Sequence, residues 1–168
     1  CILSTSKSVN YDNSLLNCRI NGLDKYKPAM FIVDLNLKLR KNLLLNSLLK
    51  KRKTYLITLK KNLKKIKNYK KIGYSIILIN SLEYKKDFEK LNKKIYKMGY
   101  SRMFIETGPT FLKSLIKNKI IDELLIFKSI NKLGKKGKNN ISINYLKKFS
   151  PKLLTINLNG DKLYKKEF

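Results

Sequence analysis

The chain has 168 residues, which by length is one domain, and 43% of them are hydrophobic. Its formal charge is +28, it contains no histidine, and its cysteines are Cys1 and Cys18. The lack of histidine excludes a His-based zinc site and any Ser-His or Cys-His catalytic pair. The chemistry must therefore use carboxylates, Lys, Tyr, Ser or Thr, or a cofactor. The scarcity of cysteine favours a reduced, cytosolic setting.

The positive charge has two interpretations. A nucleic-acid-binding module would gather Lys and Arg on one face and interleave aromatic residues. Here the lysines are spread over the whole chain, and residues with AT-rich codons are favoured throughout. We therefore favour a biased composition and disfavour a nucleic acid partner. The longest apolar runs are short, such as SIILI at 75–79, so no membrane span is predicted.

Short apolar runs in the first half of the chain predict strands at 2–4, 30–34, 54–58 and 75–79. A polar turn or a single helical turn is predicted between the first two strands, at 5–13. Asp34 is expected to mark the end of the second strand. The Lys-rich stretches at 50–53 and 60–71 are interpreted as solvated connectors.

An amphipathic helix is predicted at 84–98, because Phe88, Leu91, Ile95 and Met98 recur at helical spacing and Gly99 is a plausible stop. The segment RMFIETGPTFLKSLIKNKIIDELLI at 102–126 then reads as strand, tight turn, helix and strand.

The last part of the chain contains a basic loop at 130–140 and two strands at 153–158 and 162–168. A turn at Gly160 and Asp161 predicts that these strands form a hairpin. Strands that alternate with helices and end in a hairpin predict an α/β fold with a mostly parallel sheet and antiparallel edges. No domain boundary is visible within 1–168.

Two segments could carry chemistry, 102–126 with Glu106 and 8–19 with Asp12 and Arg19. Glu106 ends a strand just before a helix begins, which puts a carboxylate and free backbone N–H groups on one rim of a sheet. A phosphate-bearing ligand beside a carboxylate is the simplest interpretation, and a carboxylate that caps the turn is the structural alternative. Arg19 is one of few arginines, which weakly suggests forked binding of phosphate or carboxylate instead of a surface ion pair. Asp12 lies in a natural turn and is structural about as often as functional.

At this point the residues resemble a known family. FIETGPTFLKSLIKNKIIDELLIF is similar to the signature of the reductase domain of the bifunctional riboflavin-biosynthesis deaminase/reductase, and ILSTSKSVNYDNSLLNCR resembles an earlier segment of that domain. FIVDLNLKL and LGKKG resemble its next strand and its Leu-Gly loop. Ser14 and Leu35 depart from the family, which usually has a proline and a polar residue at those places.

The resemblance implies a dihydrofolate-reductase-like, three-layer α/β/α fold whose first strand lies upstream of Cys1. It implies an NADPH-dependent oxidoreductase that reduces the ribosyl group of 5-amino-6-(5-phosphoribosylamino)uracil to the ribitylamino product. It also implies a phosphorylated pyrimidine substrate, an upstream deaminase domain that this chain lacks, and a possible homodimer.

The resemblance also assigns site residues. It implies substrate contacts at Leu16, Arg19 and Glu106. It implies cofactor contacts at Ser8, Asp12, Gly108, Pro109, Thr110, Phe111, Leu112, Lys113 and Ser114. The catalytic residue is left unknown, with the proton donor open between Asp12, Glu106 and water, and no metal ligand is predicted.

Two other functions stay open. Another dihydrofolate-reductase-like enzyme, acting on a folate or pterin, would not need a phosphate anchor at Arg19. A basic nucleic-acid-binding module would show steep salt dependence of binding.

Overall fold

A computed structural model describes residues 1–17, 21–23, 25, 27–131 and 143–168. The chain divides into two compact units, Cys1–Gly108 and Pro109–Phe168. The first unit holds a five-stranded sheet and the second a three-stranded sheet. No shift in composition marks this division, which is why the sequence shows no boundary there.

The five-stranded sheet is entirely parallel, with strand order β4-β3-β2-β1-β5. Its strands are β1 (Ile2–Thr5), β2 (Met30–Val33), β3 (Thr54–Leu59), β4 (Ser75–Ile79) and β5 (Phe104–Ile105). The helices of this unit are α1 (Ser6–Asp12), α2 (Lys67–Ile72) and α3 (Lys85–Lys97), with 3₁₀ helices at Leu44–Leu48 and Lys60–Lys65. The predicted strands and the predicted parallel α/β class are confirmed.

The central strand β2 is buried on both faces, which explains its unbroken apolar sequence. On one face, Met30 and Ile32 belong to the main hydrophobic cluster, which also receives Val9 from α1 and Tyr69 from α2. On the other face, the ring of Phe31 stacks on Tyr55 at a centroid distance of 4.6 Å and meets Tyr100 edge-on at 5.3 Å. Both layers of side chains lock the sheet in one register, because a slip by one residue would exchange the faces.

The amphipathic helix is also confirmed. Phe88, Leu91 and Ile95 are the buried residues of α3. The carboxylate of Asp87 accepts hydrogen bonds from the Ser81 side chain and from backbone amides just before the helix. The Ser81 bond and then the amide bonds hold the pKa of Asp87 below its usual value. Gly99, at φ +92°, ends the helix where a side chain would be strained.

The interpretation of 60–71 as a solvated connector is wrong. The stretch forms the 3₁₀ helix Lys60–Lys65 and most of α2, because Asn62, Ile66 and Tyr69 are buried at a spacing of one per helical turn. The amide of Asn62 donates to the carbonyl of Leu35 at 2.7 Å and to the hydroxyl of Thr58 at 2.9 Å. The lysines occupy the exposed positions between these anchors.

The second unit contains α4 (Pro109–Lys117), β6 (Glu123–Lys128), α5 (Ile143–Lys147), β7 (Lys152–Leu158) and β8 (Asp161–Glu167). The three strands are antiparallel in the order β6-β8-β7, so they form a sheet of their own and not edges of the parallel sheet. In the described residues β6 forms the end of this sheet and pairs with β8.

The predicted hairpin is confirmed, but its turn lies one residue earlier than expected. Asn159 and Gly160 form the turn with φ of +52° and +96°, and Asp161 already belongs to β8. Two successive positive φ angles give a turn whose twist matches that of the strands. Residues 132–140 of the predicted basic loop, including LGKKG, lie outside the described residues.

None of the helices in the described residues could cross a membrane, since even α3 has only 13 residues.

Candidate functional site

The parallel strands of the first unit all end at one edge of their sheet, which is where open α/β sheets bind ligands. Thr5 ends β1, Asp34 follows β2 and Glu106 follows β5. The backbone amide of Glu106 donates to the carbonyl of Leu3 at 3.0 Å, which continues the pairing of β5 with β1. Three polar side chains are thereby brought to the same edge from distant parts of the sequence.

A group of hydroxyls, here called the hydroxyl cluster, lies at this edge and consists of Thr5, Ser8 and Thr107. Thr5 caps α1, since its Oγ1 accepts a hydrogen bond from the Ser8 amide at 3.3 Å. Its Oγ1 also lies 3.1 Å from the Ser8 Oγ and 3.5 Å from the Thr107 Oγ1. Each hydroxyl can donate and accept, so the cluster can reorient its protons toward a polar ligand.

Gly108 joins the cluster through its backbone, because its amide donates to the Ser8 Oγ at 3.1 Å. This bond ties the turn after β5 to helix α1. A Cβ at Gly108 would lie 3.7 Å from the Ser8 Oγ, an ordinary contact, so the fold itself leaves room for a small side chain here. A requirement for glycine at this position would therefore come from a ligand and not from the protein.

Ser8 and Asp12, two of the predicted cofactor contacts, lie one helical turn apart on α1 and share a face. Ser8 is half-buried within the hydroxyl cluster, and Asp12 is exposed at the last residue of the helix. The structure therefore brings a hydroxyl and a carboxylate together along one line of the helix. Such a pair can hydrogen-bond to the hydroxyls or amides of a ligand lying along α1.

Glu106, a predicted substrate contact, has an exposed side chain at the sheet edge. Leu16, another predicted substrate contact, is 8% exposed and packs in the main hydrophobic cluster. Its φ of +48° is unusual for a leucine. Arg19 lies outside the described residues.

The segment with Leu16 is held by a buried cation. The guanidinium of Arg52 donates to the carbonyls of Leu15 and Leu16, each at 2.6 Å, and only 5% of the Arg52 side chain is exposed. Burial lowers the pKa of Arg52. The fork of the guanidinium fixes two successive carbonyls and so the path of the chain where φ is positive.

The remaining predicted cofactor contacts open the second unit. Pro109, Thr110, Phe111, Leu112, Lys113 and Ser114 are the first six residues of α4. Pro109 at the first position suits a helix start, because its missing N–H would have no partner there. Leu115 is buried, Thr110 and Lys113 are exposed, and the Lys113 Nζ lies 5.3 Å from the centre of the Tyr145 ring. The N–H groups and the dipole at this helix end suit phosphate.

Sequence reasoning missed the contacts that Thr5, Asp34 and Thr107 make at this edge, and those that Arg52 makes with the Leu15 and Leu16 carbonyls. The carboxylate of Asp34 is 2% exposed and accepts hydrogen bonds from Ser6 and from the amides of Lys38 and Leu39. Thr5 could have been found as a Ser/Thr cap before a helix. Thr107 and Arg52 gave no signal, because their partners are distant in sequence.

Comparisons with known proteins identify the family and the fold. The family model of the RibD C-terminal domain matches residues 1–154. No curated protein sequence matches the chain.

Solved structures share the fold. Acinetobacter baumannii RibD, form 2, superposes with a TM-score of 0.72 at 18% identity, over 99% of this chain and 46% of that chain. A Thermotoga maritima diaminohydroxyphosphoribosylaminopyrimidine deaminase/5-amino-6-(5-phosphoribosylamino)uracil reductase gives 0.70 at 15% identity, over 99% and 44%. A pyrimidine reductase-like protein from Corynebacterium diphtheriae gives 0.71 at 12% identity, over 99% and 75%.

This chain spans less than half the length of the Acinetobacter and Thermotoga proteins. The family match covers all of the first unit and the second unit up to Leu154, within β7. The chain therefore belongs to the RibD C-terminal domain family.

Proposed function

We propose that this chain is an NADPH-dependent reductase that converts the ribosyl group of 5-amino-6-(5-phosphoribosylamino)uracil into a ribityl group. The observation that carries the proposal is the family match over residues 1–154. The Thermotoga relative is named for this reductase activity together with a deaminase activity. We therefore also propose that a deaminase supplies the substrate. We further propose that the reaction takes place in the cytoplasm.

The residues present suit such a cofactor. The hydroxyl cluster offers neutral donors and acceptors, and the start of α4 offers backbone N–H groups and a favourable dipole for phosphate. In this proposal Ser8, Asp12 and the residues from Gly108 to Ser114 hold NADPH. When bound, NADPH supplies the hydride for the C1′ carbon of the ring-opened sugar.

The chain's own contribution is positioning. Arg19 would hold the ribose phosphate and Glu106 would orient the sugar or the base. Leu16, whose side chain is buried in the main hydrophobic cluster, would contact the substrate through its backbone. The carboxylates of Asp12 and Glu106 are both exposed. In this proposal either carboxylate, or a water, donates the proton that completes the reduction.

Steady-state kinetics with three substrates tests the proposal. NADPH oxidation should occur with the phosphorylated pyrimidine and fall strongly when the phosphate is removed. Oxidation with dihydrofolate but not with the pyrimidine would instead support a folate or pterin reductase.

Arg19→Ala tests the phosphate anchor. It should raise the KM for the phosphorylated substrate about 10- to 100-fold, as loss of a charged hydrogen bond does. The exposed Arg102 supplies the matched control, and Arg102→Ala should leave KM unchanged. An unchanged KM in Arg19→Ala would remove Arg19 from this role.

A further inference from the structure

Helix α1 presents different residues on opposite sides. At about 100° per residue, Ser6 and Asn10 lie on one side, and Ser8 and Asp12 lie about 200° away on the other. Val9, between them, is fully buried in the main hydrophobic cluster. The side of α1 with Ser8 and Asp12 is the side proposed to contact the cofactor.

The opposite side of α1 is fastened to the segment after β2. The Ser6 hydroxyl donates to the Asp34 carboxylate at 2.9 Å. The Asn10 amide nitrogen donates to the Lys38 carbonyl at 2.8 Å, and its amide oxygen accepts from the Arg40 amide at 2.9 Å. The Arg40 guanidinium also donates to the Asn10 carbonyl.

Asp34 makes this attachment firm. Besides Ser6, its carboxylate accepts from the amides of Lys38 and Leu39 at 2.9 and 2.7 Å, and it is buried at the end of the central strand. The same carboxylate therefore shapes the 34–39 segment and holds the first residue of α1. Because charge-assisted bonds in a buried place are strong, the segment is a rigid support for the helix.

We infer that Ser6 and Asn10, acting through Asp34 and the 38–40 backbone, are positioning residues that fix the rotation of α1. This attachment, here called the α1 clamp, holds Ser8 against Gly108 and turns Asp12 to the same side. The inference rests on the proposed function for its consequence, which is cofactor affinity. Its structural part, the alignment of Ser8 with Gly108, stands on the hydrogen bonds alone.

The test uses Asn10→Ala and Ser6→Ala, with Ser6→Thr as a variant that keeps the hydroxyl. Ser47→Ala is the matched control, because Ser47 is exposed and its hydroxyl makes a local bond to the Leu44 carbonyl within its own 3₁₀ helix. The first readout is amide hydrogen exchange by NMR at Gly108, whose amide bonds Ser8. Met30 serves as the reference for global opening, since its buried amide bonds the Lys53 carbonyl in the sheet.

We expect exchange at Gly108 to rise about tenfold relative to Met30 in Asn10→Ala, the effect of losing one to two hydrogen bonds that hold the helix. Ser6→Ala should show a smaller rise, Ser6→Thr should restore the wild-type ratio, and Ser47→Ala should not change it. An unchanged ratio in both Asn10→Ala and Ser6→Ala would overturn the inference. Equal acceleration at both amides would overturn it too, since it would show general destabilisation.

The second readout is steady-state kinetics. The clamp variants should raise the KM for NADPH about tenfold, while kcat and the KM for the pyrimidine stay close to wild type. An unchanged KM for NADPH beside faster Gly108 exchange would contradict the link from the clamp to the cofactor. If the wild-type protein oxidises no NADPH, the proposed function fails, and the exchange ratio at Gly108 alone decides whether the clamp exists.

Discussion

The Gly108 amide donates a hydrogen bond to the Ser8 Oγ at 3.1 Å, although the two residues are 100 positions apart in the chain. The bond joins the turn after β5 to helix α1, two segments that the family resemblance assigns to one cofactor. It places a hydroxyl next to the backbone of the proposed phosphate-binding turn.

Ser8→Ala should weaken NADPH binding about tenfold, because it removes the acceptor for the Gly108 amide and a proposed contact to the cofactor. Ser8→Thr keeps the hydroxyl and should bind close to wild type. Titration calorimetry with NADPH measures both affinities. Wild-type affinity in Ser8→Ala would show that the hydroxyl cluster is structural only.

Arg52→Lys should lower the free energy of unfolding by about 1–3 kcal/mol, because one ammonium cannot reproduce a fork that holds two carbonyls. The hydrogen bonds affected are those that the Arg52 guanidinium donates to the Leu15 and Leu16 carbonyls. Urea denaturation followed by circular dichroism gives the value. Arg102→Lys, on an exposed side chain, is the control, and equal midpoints for the two variants would contradict the assigned role of Arg52.

Stability should also fall at high pH because of Tyr74. Burial is the main cause that raises the pKa of Tyr74 above its ordinary value of 10.0, with the nearby Tyr69 adding to the rise. The neutral phenol is therefore favoured by folding. Its contribution is fully present below pH 10.0 and is lost as pH rises beyond it toward the raised pKa.

Tyr74→Phe should make the loss of stability above pH 10.0 shallower. It should not abolish that loss, since burial also raises the pKa of Tyr69, and that of Tyr100 to about 12. At neutral pH the variant loses the bond from the Tyr74 hydroxyl to Asn46, at a cost of about 1 kcal/mol. Urea unfolding midpoints of wild type and Tyr74→Phe, measured from neutral pH to above pH 10.0, test this prediction. If the two midpoints fall equally steeply with pH, Tyr74 does not have the assigned role.

Gly160→Ala should destabilise the β7–β8 hairpin by about 1 kcal/mol or more, since its φ of +96° strains any side chain. The added Cβ would also lie 3.3 Å from the Ile130 Cδ1. Melting temperatures from thermal unfolding should be compared with those of Lys162→Ala, a variant at an exposed neighbouring position. This control separates the effect of the turn from that of any substitution in the hairpin. Equal melting temperatures would mean that the turn tolerates another conformation.

Much of the fold could be predicted because local patterns decide it. The run MFIV is apolar at every position since β2 is covered on both faces, and SIILI coincides with β4. The helical stretch at 60–72 was hidden by its lysines, although Asn62, Ile66 and Tyr69 carry the helical spacing. Asn62, the first buried residue of this series, is polar, so the series does not stand out as an apolar helical pattern.

The site was less predictable for a physical reason. Its residues were assigned from a resemblance, and the contacts among them depend on which strands are neighbours. Thr107 meets Thr5 only because β5 pairs with β1, and no periodicity near either residue encodes that pairing. Asp34 could be placed at a strand end, whereas its bond to Ser6 required the sheet order.

The most direct measurement uses NADPH that carries deuterium on the transferred position of the nicotinamide, with the phosphorylated pyrimidine as substrate. Mass spectrometry of the product shows where the label goes. We expect one deuterium on the C1′ carbon of the ribityl product. A product without the label, or no product from a protein that is folded and binds NADPH, would contradict the proposed reduction.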